Sequence, residues 1–195
     1  MTLPARSTIR DMSRADSSAL ALLRGSAVSA APRLLGWQLT VGEVSGIIAE
    51  TEAYQGEEDL ACHASKGRTP RTTPLYGAPG TLYVYLCYGM HHMLNLVADA
   101  EGTPAAVLIR GMIIPGLDPR RSNGPGKVAR LLALDRRHHG QRMDGVVTLT
   151  PPDRKPPRPL SGPRYGVDYA GPDWAARPWR WWLPGFPAVG VPHQD

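Results

Sequence analysis

The most regular pattern of apolar and polar positions in the chain is an alternation ahead of a turn. Tyr83 and Tyr85 share one parity and aliphatic residues occupy the other, which predicts a strand over Thr81–Cys87 with one aromatic and one aliphatic face. Tyr88–His91 has the residues of a turn, and the apolar run Met93–Val97 returns after it. The pattern therefore predicts a β-hairpin.

The tip of this hairpin carries Tyr88 and Met90. A turn tip seldom buries bulky side chains, so we expect both to project from the protein. On a basic protein, a projecting wedge is what an enzyme needs to fill the gap left by a nucleotide extruded from a duplex. The more ordinary alternative is a Tyr-rich strand packed on the core, which does not explain bulky residues at the tip.

Other patterns along the chain predict both helices and strands. We expect a helix over Ser17–Leu35 with Pro32 opening a second short helix, two strand halves over Trp37–Tyr54 with a turn at Gly42, a strand over Ala105–Ile109 ending at Arg110, a helix over Val128–Leu134 opened by Gly124–Lys127, and a closing strand over Trp179–Leu183. The polar stretch Gln55–Pro79 is predicted to be a long loop of functional importance, and the Pro-rich, basic stretch Thr150–Pro163 to be irregular.

Length and composition fit one folded unit. A chain of 195 residues with 42% hydrophobic residues is long enough to bury a core as a single domain. With 21 Gly and 20 Pro, it is too rich in turn-forming residues for a helical bundle. We expect residues 1–16 to be a disordered segment, 17–188 the folded domain and 189–195 a tail.

The charge favours an anionic partner. The net charge is +5 and the sequence pI is about 9.5, and nucleic acid is the commonest partner of such a protein. The alternative explanation of the positive charge is a base-composition bias that favours arginine, because lysine occurs only at 66, 127 and 155. Two isolated cysteines, no visible signal peptide and no apolar stretch long enough to span a bilayer predict a cytoplasmic protein without a membrane.

Candidate chemistry begins at Glu50, Glu52 and Tyr54. In a strand these three share one face, so two carboxylates and a phenol point the same way. A carboxylate in a concave, partly apolar site suits a general base that activates water. The alternative is a pair of solvated acids at a strand end.

No metal or cofactor is predicted. His91-His92 lacks the i, i+4 spacing and nearby acids of a zinc helix, and His138-His139 lies in a polar stretch expected to be a loop. Gly126-Lys127 is not part of a phosphate-binding loop, and neither cysteine has a persuasive base beside it in sequence.

Taken together, the motifs resemble the alkylpurine (3-methyladenine) DNA glycosylase family. The residues that carry the resemblance are Ile48–Tyr54, Asp59–His63, Gly80–Tyr85, Tyr88–Met90, Asn95, Val107–Arg110, Gly124–Lys127 and Arg177–Arg180. The match runs in order from about Ala31 to Gly185, and its departures, such as Leu75-Tyr76 where the family often has Met-Phe, leave Glu52 intact.

The resemblance implies an α+β fold, a single mixed domain around a curved, largely antiparallel β-sheet with a protruding hairpin. It implies double-stranded DNA containing a damaged purine as the partner, a monomer, no cofactor, and a nucleoid-associated location in a bacterium. The site residues it implies are Glu52 as the base that activates water, Tyr54, His63, Tyr85 and Asn95 in the base pocket, Tyr88 as the intercalating side chain, and Arg110 as a contact near the flipped nucleotide. We further expect Met90 and Lys127 to contact DNA.

No lysine falls among the matched pocket residues, so we expect base release without a Schiff base or strand cleavage. Two rival functions share some of these residues. A hydrolase of free purine nucleosides would not need the projecting Tyr88. A non-catalytic nucleic-acid-binding module would not need the Glu52 carboxylate, which would repel the phosphates it faces.

Overall fold

An open antiparallel sheet of eight strands organises the protein. The computed structural model describes residues 17–190. Its strands are β1 (Gln38–Val41), β2 (Val44–Gln55), β3 (Leu82–Cys87), β4 (His91–Val97), β5 (Ala105–Ile113), β6 (Thr148–Thr150), β7 (Leu160–Gly162) and β8 (Arg180–Trp182). The strand order is β3-β4-β5-β2-β1-β6, and β8 pairs with both β2 and β7. The expected α+β fold around a largely antiparallel sheet with a hairpin is confirmed.

Four short helices accompany the sheet: α1 (17–23 in the described part), α2 (Ala27–Arg33), α3 (Pro125–Leu131) and α4 (Pro172–Ala176). Two predicted boundaries were wrong. The second helix begins after Ser26, whose Oγ accepts a hydrogen bond from the Ser29 N–H at 3.2 Å, so Pro32 lies in its last turn and does not open it. Helix α3 begins at Pro125 and ends at Leu131, because a proline suits a first helical turn and Ala133 has left the helix with φ of 52°.

The predicted loops are largely irregular. Residues 55–79 contain only two short 3-10 helices beyond the end of β2, His63–Lys66 and Thr73–Tyr76. The Pro-rich stretch contributes only the short strand β7 and the last residue of β6.

Strand β5 is longer than its sequence pattern predicted, and Arg110 lies inside it. Glu50 pairs with Gly111 and Thr51 pairs with Ile109, so Arg110 falls in an irregularity of the β2–β5 ladder. The continuous apolar run is interrupted at Arg110, where a bulge re-aims the side chain. The strand then continues to Ile113.

The two faces of the sheet differ in what they bury. One face packs against α1, α2 and α3 through aliphatic side chains, among them Leu82, Val84, Leu94, Leu96 and Ile109. The opposite face carries a smaller cluster that includes Tyr83, Tyr85 and Tyr54 under the 55–79 loop. As predicted, alternation within β3 sends the tyrosines to one face and the aliphatic residues to the other.

The hairpin between β3 and β4 projects as expected. Tyr88 is 88% exposed and Met90 is 73% exposed. Tyr88 has φ of 49°, followed by Gly89 with φ of 70°. A bulky residue in left-handed backbone is uncommon and is typical of functional turns.

The expected disorder of residues 1–16 and most of the expected tail lie outside the described residues. Within the described part of that tail, the Val189 carbonyl accepts a hydrogen bond of 2.6 Å from Arg180 Nη2, which ties it to β8. Among residues 17–190, no helix is long and apolar enough to cross a bilayer.

Candidate active site

An aromatic cleft opens on the sheet face opposite α1, α2 and α3. The space between its walls, open solvent included, is about 350 Å³. The residues that line it are Tyr54, Ala61, Cys62, His63, Leu75, Tyr83, Tyr85, Asn95, Ala106 and Tyr169. Four of the predicted site residues, Tyr54, His63, Tyr85 and Asn95, therefore meet in one place.

Three rings form one wall of the cleft. The His63 and Tyr85 rings meet edge to face with centroids 4.6 Å apart, and Tyr83 and Tyr85 are 5.3 Å apart. His63 Nδ1 lies 2.8 Å from the Tyr83 hydroxyl, which fixes the imidazole. Burial and the nearby Arg71 and Lys66 charges lower the pKa of His63 to about 4, so the ring is neutral at physiological pH. A neutral, rigid aromatic wall suits stacking against a planar base.

Asn95 lies directly across the β3–β4 ladder from Tyr83. It is buried, and its Nδ2 donates a hydrogen bond of 3.1 Å to the Tyr83 carbonyl oxygen. One amide hydrogen is thereby engaged by the backbone, which orients the side chain. The other hydrogen and the amide oxygen can serve a ligand in the cleft.

Glu52 lies beside the cleft, beneath Tyr54. Its carboxylate is fully buried. Oε2 accepts a hydrogen bond of 2.8 Å from the Tyr54 hydroxyl, and Oε1 accepts one of 2.7 Å from the backbone N–H of Tyr165. Burial first, and then the carboxylate of Glu52, raise the pKa of Tyr54 well above its usual range, so the phenol stays a proton donor.

The predicted carboxylate pair is buried rather than solvated at a strand end. Glu50 Oε1 accepts hydrogen bonds from Arg110 Nε at 2.9 Å and Arg180 Nε at 2.7 Å. Arg110 Nη1 also reaches Glu52 Oε2 at 3.4 Å. Two carboxylates and two guanidinium groups thus balance one another out of water, as buried charges require. Glu50 fixes Arg110, and Arg110 in turn fixes Glu52.

This network changes the expectation for Arg110. The side chain is 5% exposed and lies behind Glu52, not on the surface as a free cation. Burial lowers the pKa of its guanidinium, but the adjacent carboxylates of Glu52 and Glu50 outweigh burial and raise it, so Arg110 stays charged. Its contact with DNA stays a prediction.

A second buried ion pair braces the site and was missed in the sequence. Arg164 Nη1 and Nη2 donate to the two oxygens of Asp59 at 2.6 and 2.8 Å, and Nη1 also donates to the Ala53 carbonyl at 3.0 Å. The pair joins the 55–79 loop to the chain segment that carries Tyr165 and Tyr169. No local sequence pattern indicates that Asp59 and Arg164, more than a hundred residues apart, form an ion pair.

Two further cleft residues were also missed. Tyr83 shares the parity of Tyr85, so the alternation already contained the signal for it. Tyr169 is 70% exposed at the mouth of the cleft, and its hydroxyl donates a hydrogen bond of 3.0 Å to the Ala61 carbonyl. Tyr169 lies outside any periodic segment, so no pattern could have indicated it.

Lys127 lies near the turn of the hairpin, outside the cleft. A Cβ on the neighbouring Gly126 would come within 2.9 Å of the His91 Cβ, so only glycine allows α3 to approach β4 this closely. Lys127 is exposed, and its Nζ donates to the Arg120 carbonyl and to Asn123 Oδ1 at 2.8 and 2.7 Å. Its position beside the hairpin is compatible with the predicted DNA contact.

Among residues 17–190, no group of three or more His, Cys, Asp or Glu side chains is arranged to hold a metal ion. Cys62 lines the cleft, but burial raises the pKa of its thiol to about 12, which makes it a poor nucleophile.

Comparison with known proteins assigns this arrangement to a family. The sequence profile of methylpurine-DNA glycosylases matches residues 21–187, which is most of the chain. The chain belongs to the methylpurine-DNA glycosylase family. The match spans every described strand and the whole of the cleft.

Individual relatives agree with this assignment. A Myxococcus xanthus protein whose name assigns it to the 3-methyladenine DNA glycosylases is 49% identical over 165 residues, covering 80% of this chain and 84% of the relative. A Methanocella arvoryzae protein with the same assignment is 43% identical over 166 residues, covering 78% and 82%. The DNA-3-methyladenine glycosylase of Arabidopsis thaliana is 40% identical over 181 residues, covering 85% and 71%. The family that the sequence motifs resembled is therefore confirmed.

Proposed function

We propose that this methylpurine-DNA glycosylase family member is a DNA-3-methyladenine glycosylase. On this proposal it takes an alkylated or deaminated purine out of duplex DNA and hydrolyses the bond between the base and the sugar. The observation that carries the proposal is the fully buried Glu52 carboxylate, hydrogen-bonded at 2.8 Å to a tyrosine that lines an aromatic cleft. An aromatic slot for a base beside a carboxylate is what this reaction needs.

In the proposed reaction Glu52 removes a proton from a water molecule, and the water oxygen bonds to C1′ of the deoxyribose. The bond from C1′ to the purine nitrogen breaks, and its electron pair leaves with the base. Because Glu52 is fully buried in the free protein, the groups that cover it must move for water to reach the carboxylate. Arg110 and the Tyr165 N–H position the carboxylate.

The proposed base site is the cleft itself. Stacking on Tyr54, Tyr85 and His63 contributes roughly 1–3 kcal/mol per aromatic contact and tolerates varied purines. Asn95 at the cleft wall is proposed to screen exocyclic groups by its free amide atoms. No lysine lines the cleft, so water is the proposed nucleophile and no covalent Schiff base forms.

Tyr88 is the proposed wedge that fills the space of the extruded nucleotide, with Met90 beside it on the same tip. A free nucleoside leaves no gap to fill, so the exposed tip favours duplex DNA as substrate. The protein is proposed to act as a monomer.

The deciding experiment compares base release by the native protein and Glu52→Gln from duplexes with a single hypoxanthine or 3-methyladenine. We expect Glu52→Gln to lose roughly 10²–10⁴-fold in rate, the usual contribution of a general base, while it still binds DNA. Borohydride added to the native reaction should trap no covalent adduct. Failure of the native protein to release either base while binding DNA would favour a non-catalytic binding module.

A further inference from the structure

Arg71 places a positive charge at one end of the cleft. It lies in the 55–79 loop, and its guanidinium carbon is 5.4 Å from the centroid of the Tyr85 ring. The Tyr85 ring is in edge contact with His63. The side chain is exposed, and within the part of the chain that the structure describes no carboxylate lies within ion-pair distance of it. The aromatic wall therefore faces an uncompensated cation.

The cleft is electrically polar as a result. The residues that line it carry no ionised side chain, since His63 is neutral there. The negative charge of Glu52 beneath Tyr54 is offset by Arg110, whereas the positive charge of Arg71 at the Tyr85 and His63 wall is not offset by a carboxylate. The lowered pKa of His63, caused first by burial and next by Arg71, is consistent with a positive potential at that wall.

Purine lesions fall into two charge classes that differ in the charge they bring into the cleft. When the glycosidic bond of a neutral purine such as hypoxanthine breaks, the electron pair leaves with the base, and the ring becomes negative. When the bond of a cationic purine such as 7-methylguanine breaks, the same electron pair cancels the positive charge, and the base leaves neutral. Relative to the base stacked in the duplex, a nearby cation therefore lowers the energy of the first transition state and raises the energy of a cationic base that enters the cleft.

We propose that Arg71 is a specificity-determining residue that shifts this enzyme toward neutral purine lesions and away from cationic ones. The inference rests on the proposed glycosylase function. Arg71 acts through its charge beside Tyr85, and its role requires neither a contact with the sugar nor a proton transfer.

The test is a pair of matched variants, Arg71→Gln and Arg68→Gln. Arg68 lies in the same loop and is also exposed, but its guanidinium lies over Tyr76, 5.1 Å from a ring that does not line the cleft. Each variant removes one positive charge from the same surface, so both should weaken general binding to DNA similarly. Only Arg71→Gln removes the charge beside the base wall.

The measurement is the rate of base release at enzyme concentrations below saturation, which includes entry of the base into the cleft, from two duplexes of the same sequence, one with hypoxanthine and one with 7-methylguanine. We expect the ratio of the hypoxanthine rate to the 7-methylguanine rate to fall about tenfold in Arg71→Gln, the size of effect expected from one unit charge over several ångströms. The ratio should stay near the native value in Arg68→Gln and in Arg71→Lys, which keeps the charge.

An unchanged ratio in Arg71→Gln, with both rates falling together, would make Arg71 a contact to the DNA backbone only and overturn the proposal. An equal change of ratio in Arg68→Gln would overturn it as well, since the effect would then belong to the loop's total charge. Release of neither base by the native protein would instead refute the glycosylase function on which the proposal rests. Circular dichroism of both variants checks that each is folded.

Discussion

The two faces of β3 and β4 differ in what holds their buried side chains in place. On the helix face, Leu82, Val84 and Leu96 are fully or almost fully buried among other aliphatic side chains. On the cleft face, Tyr83 and Asn95 are as deeply buried, yet each is held by a specific hydrogen bond. Apolar packing is non-directional and is governed by area and shape, whereas buried polar groups need particular partners. The helix face supplies stability, and the cleft face additionally fixes atoms in place.

Asp59→Asn should have the largest effect on stability. Asn keeps the shape of the side chain but leaves the buried guanidinium of Arg164 without its counter-charge. We expect a loss of about 3–5 kcal/mol in the free energy of unfolding, measured by urea denaturation. Because Arg164 also holds Ala53 and the segment that carries Tyr165, base release should fall even at temperatures where the variant is folded.

Leu96→Ala is the matched variant on the helix face. Leu96 is fully buried, and a truncation of this kind costs about 2–5 kcal/mol. We expect similar destabilisation but near-native base release from the folded variant. If both variants lost base release to the same degree at equal stability, the distinction between the two faces would not hold.

Tyr88→Asn should stabilise the protein, unlike the two variants above, and still lower base release. Tyr88 is 88% exposed and has φ of 49°, a conformation that Asn adopts more readily than Tyr. We expect the free energy of unfolding to rise by about 0.5–1 kcal/mol, a fraction of the cost of left-handed backbone. Base release from a duplex should fall sharply, while the salt dependence of DNA binding stays close to native.

Calorimetry together with a DNA-binding titration at several salt concentrations checks both parts. Parallel losses in binding and in base release would contradict the proposed wedge, since they would make Tyr88 a general DNA contact.

A pH dependence of stability is also expected from the cleft wall. The pKa of His63 is about 4 in the folded protein and 6.5 for a free side chain, with burial as the main cause. Between pH 4 and pH 6.5, His63 therefore binds a proton in the unfolded chain but not in the folded protein. The stability associated with neutral His63 is present above pH 6.5 and is lost as pH falls toward 4.

Urea denaturation at pH 7 and pH 5 should show a steeper loss of stability in the native protein than in His63→Gln. An NMR titration of the His63 ring with a midpoint near 6.5, or equal losses in the two proteins, would show that the wall is not desolvated.

Local alternation was enough to predict much of the cleft. The parity of Tyr83 and Tyr85 in β3, and of Glu50, Glu52 and Tyr54 in β2, is a property of any extended chain, so the residues on each face were readable in advance. The turn at Tyr88 was readable because Gly89 and the break in alternation mark it. The positions of the residues brought together from distant segments, His63 and Asn95, came only from the family resemblance.

The boundaries and the buried ion pairs were not predictable in this way. Arg110 was expected to end a strand, but the irregularity in the β2–β5 ladder carries the strand past it and turns its side chain toward the carboxylates. Neither hydrophobic periodicity nor spacing along the chain indicated that Arg180 would meet Glu50 or that Arg164 would meet Asp59.

By itself, then, the sequence of this protein determined the alternating faces of its strands, the exposed hairpin tip, its basic character and its family. Only the tertiary structure decided which arginines neutralise Glu50, which backbone N–H reaches Glu52 and which cation stands beside Tyr85. The physical reason is the separation along the sequence between the interacting residues. Side-chain parity follows from the geometry of a few consecutive residues, whereas the partners of these buried charges come from segments 60 to 130 residues away that pack together at the sheet.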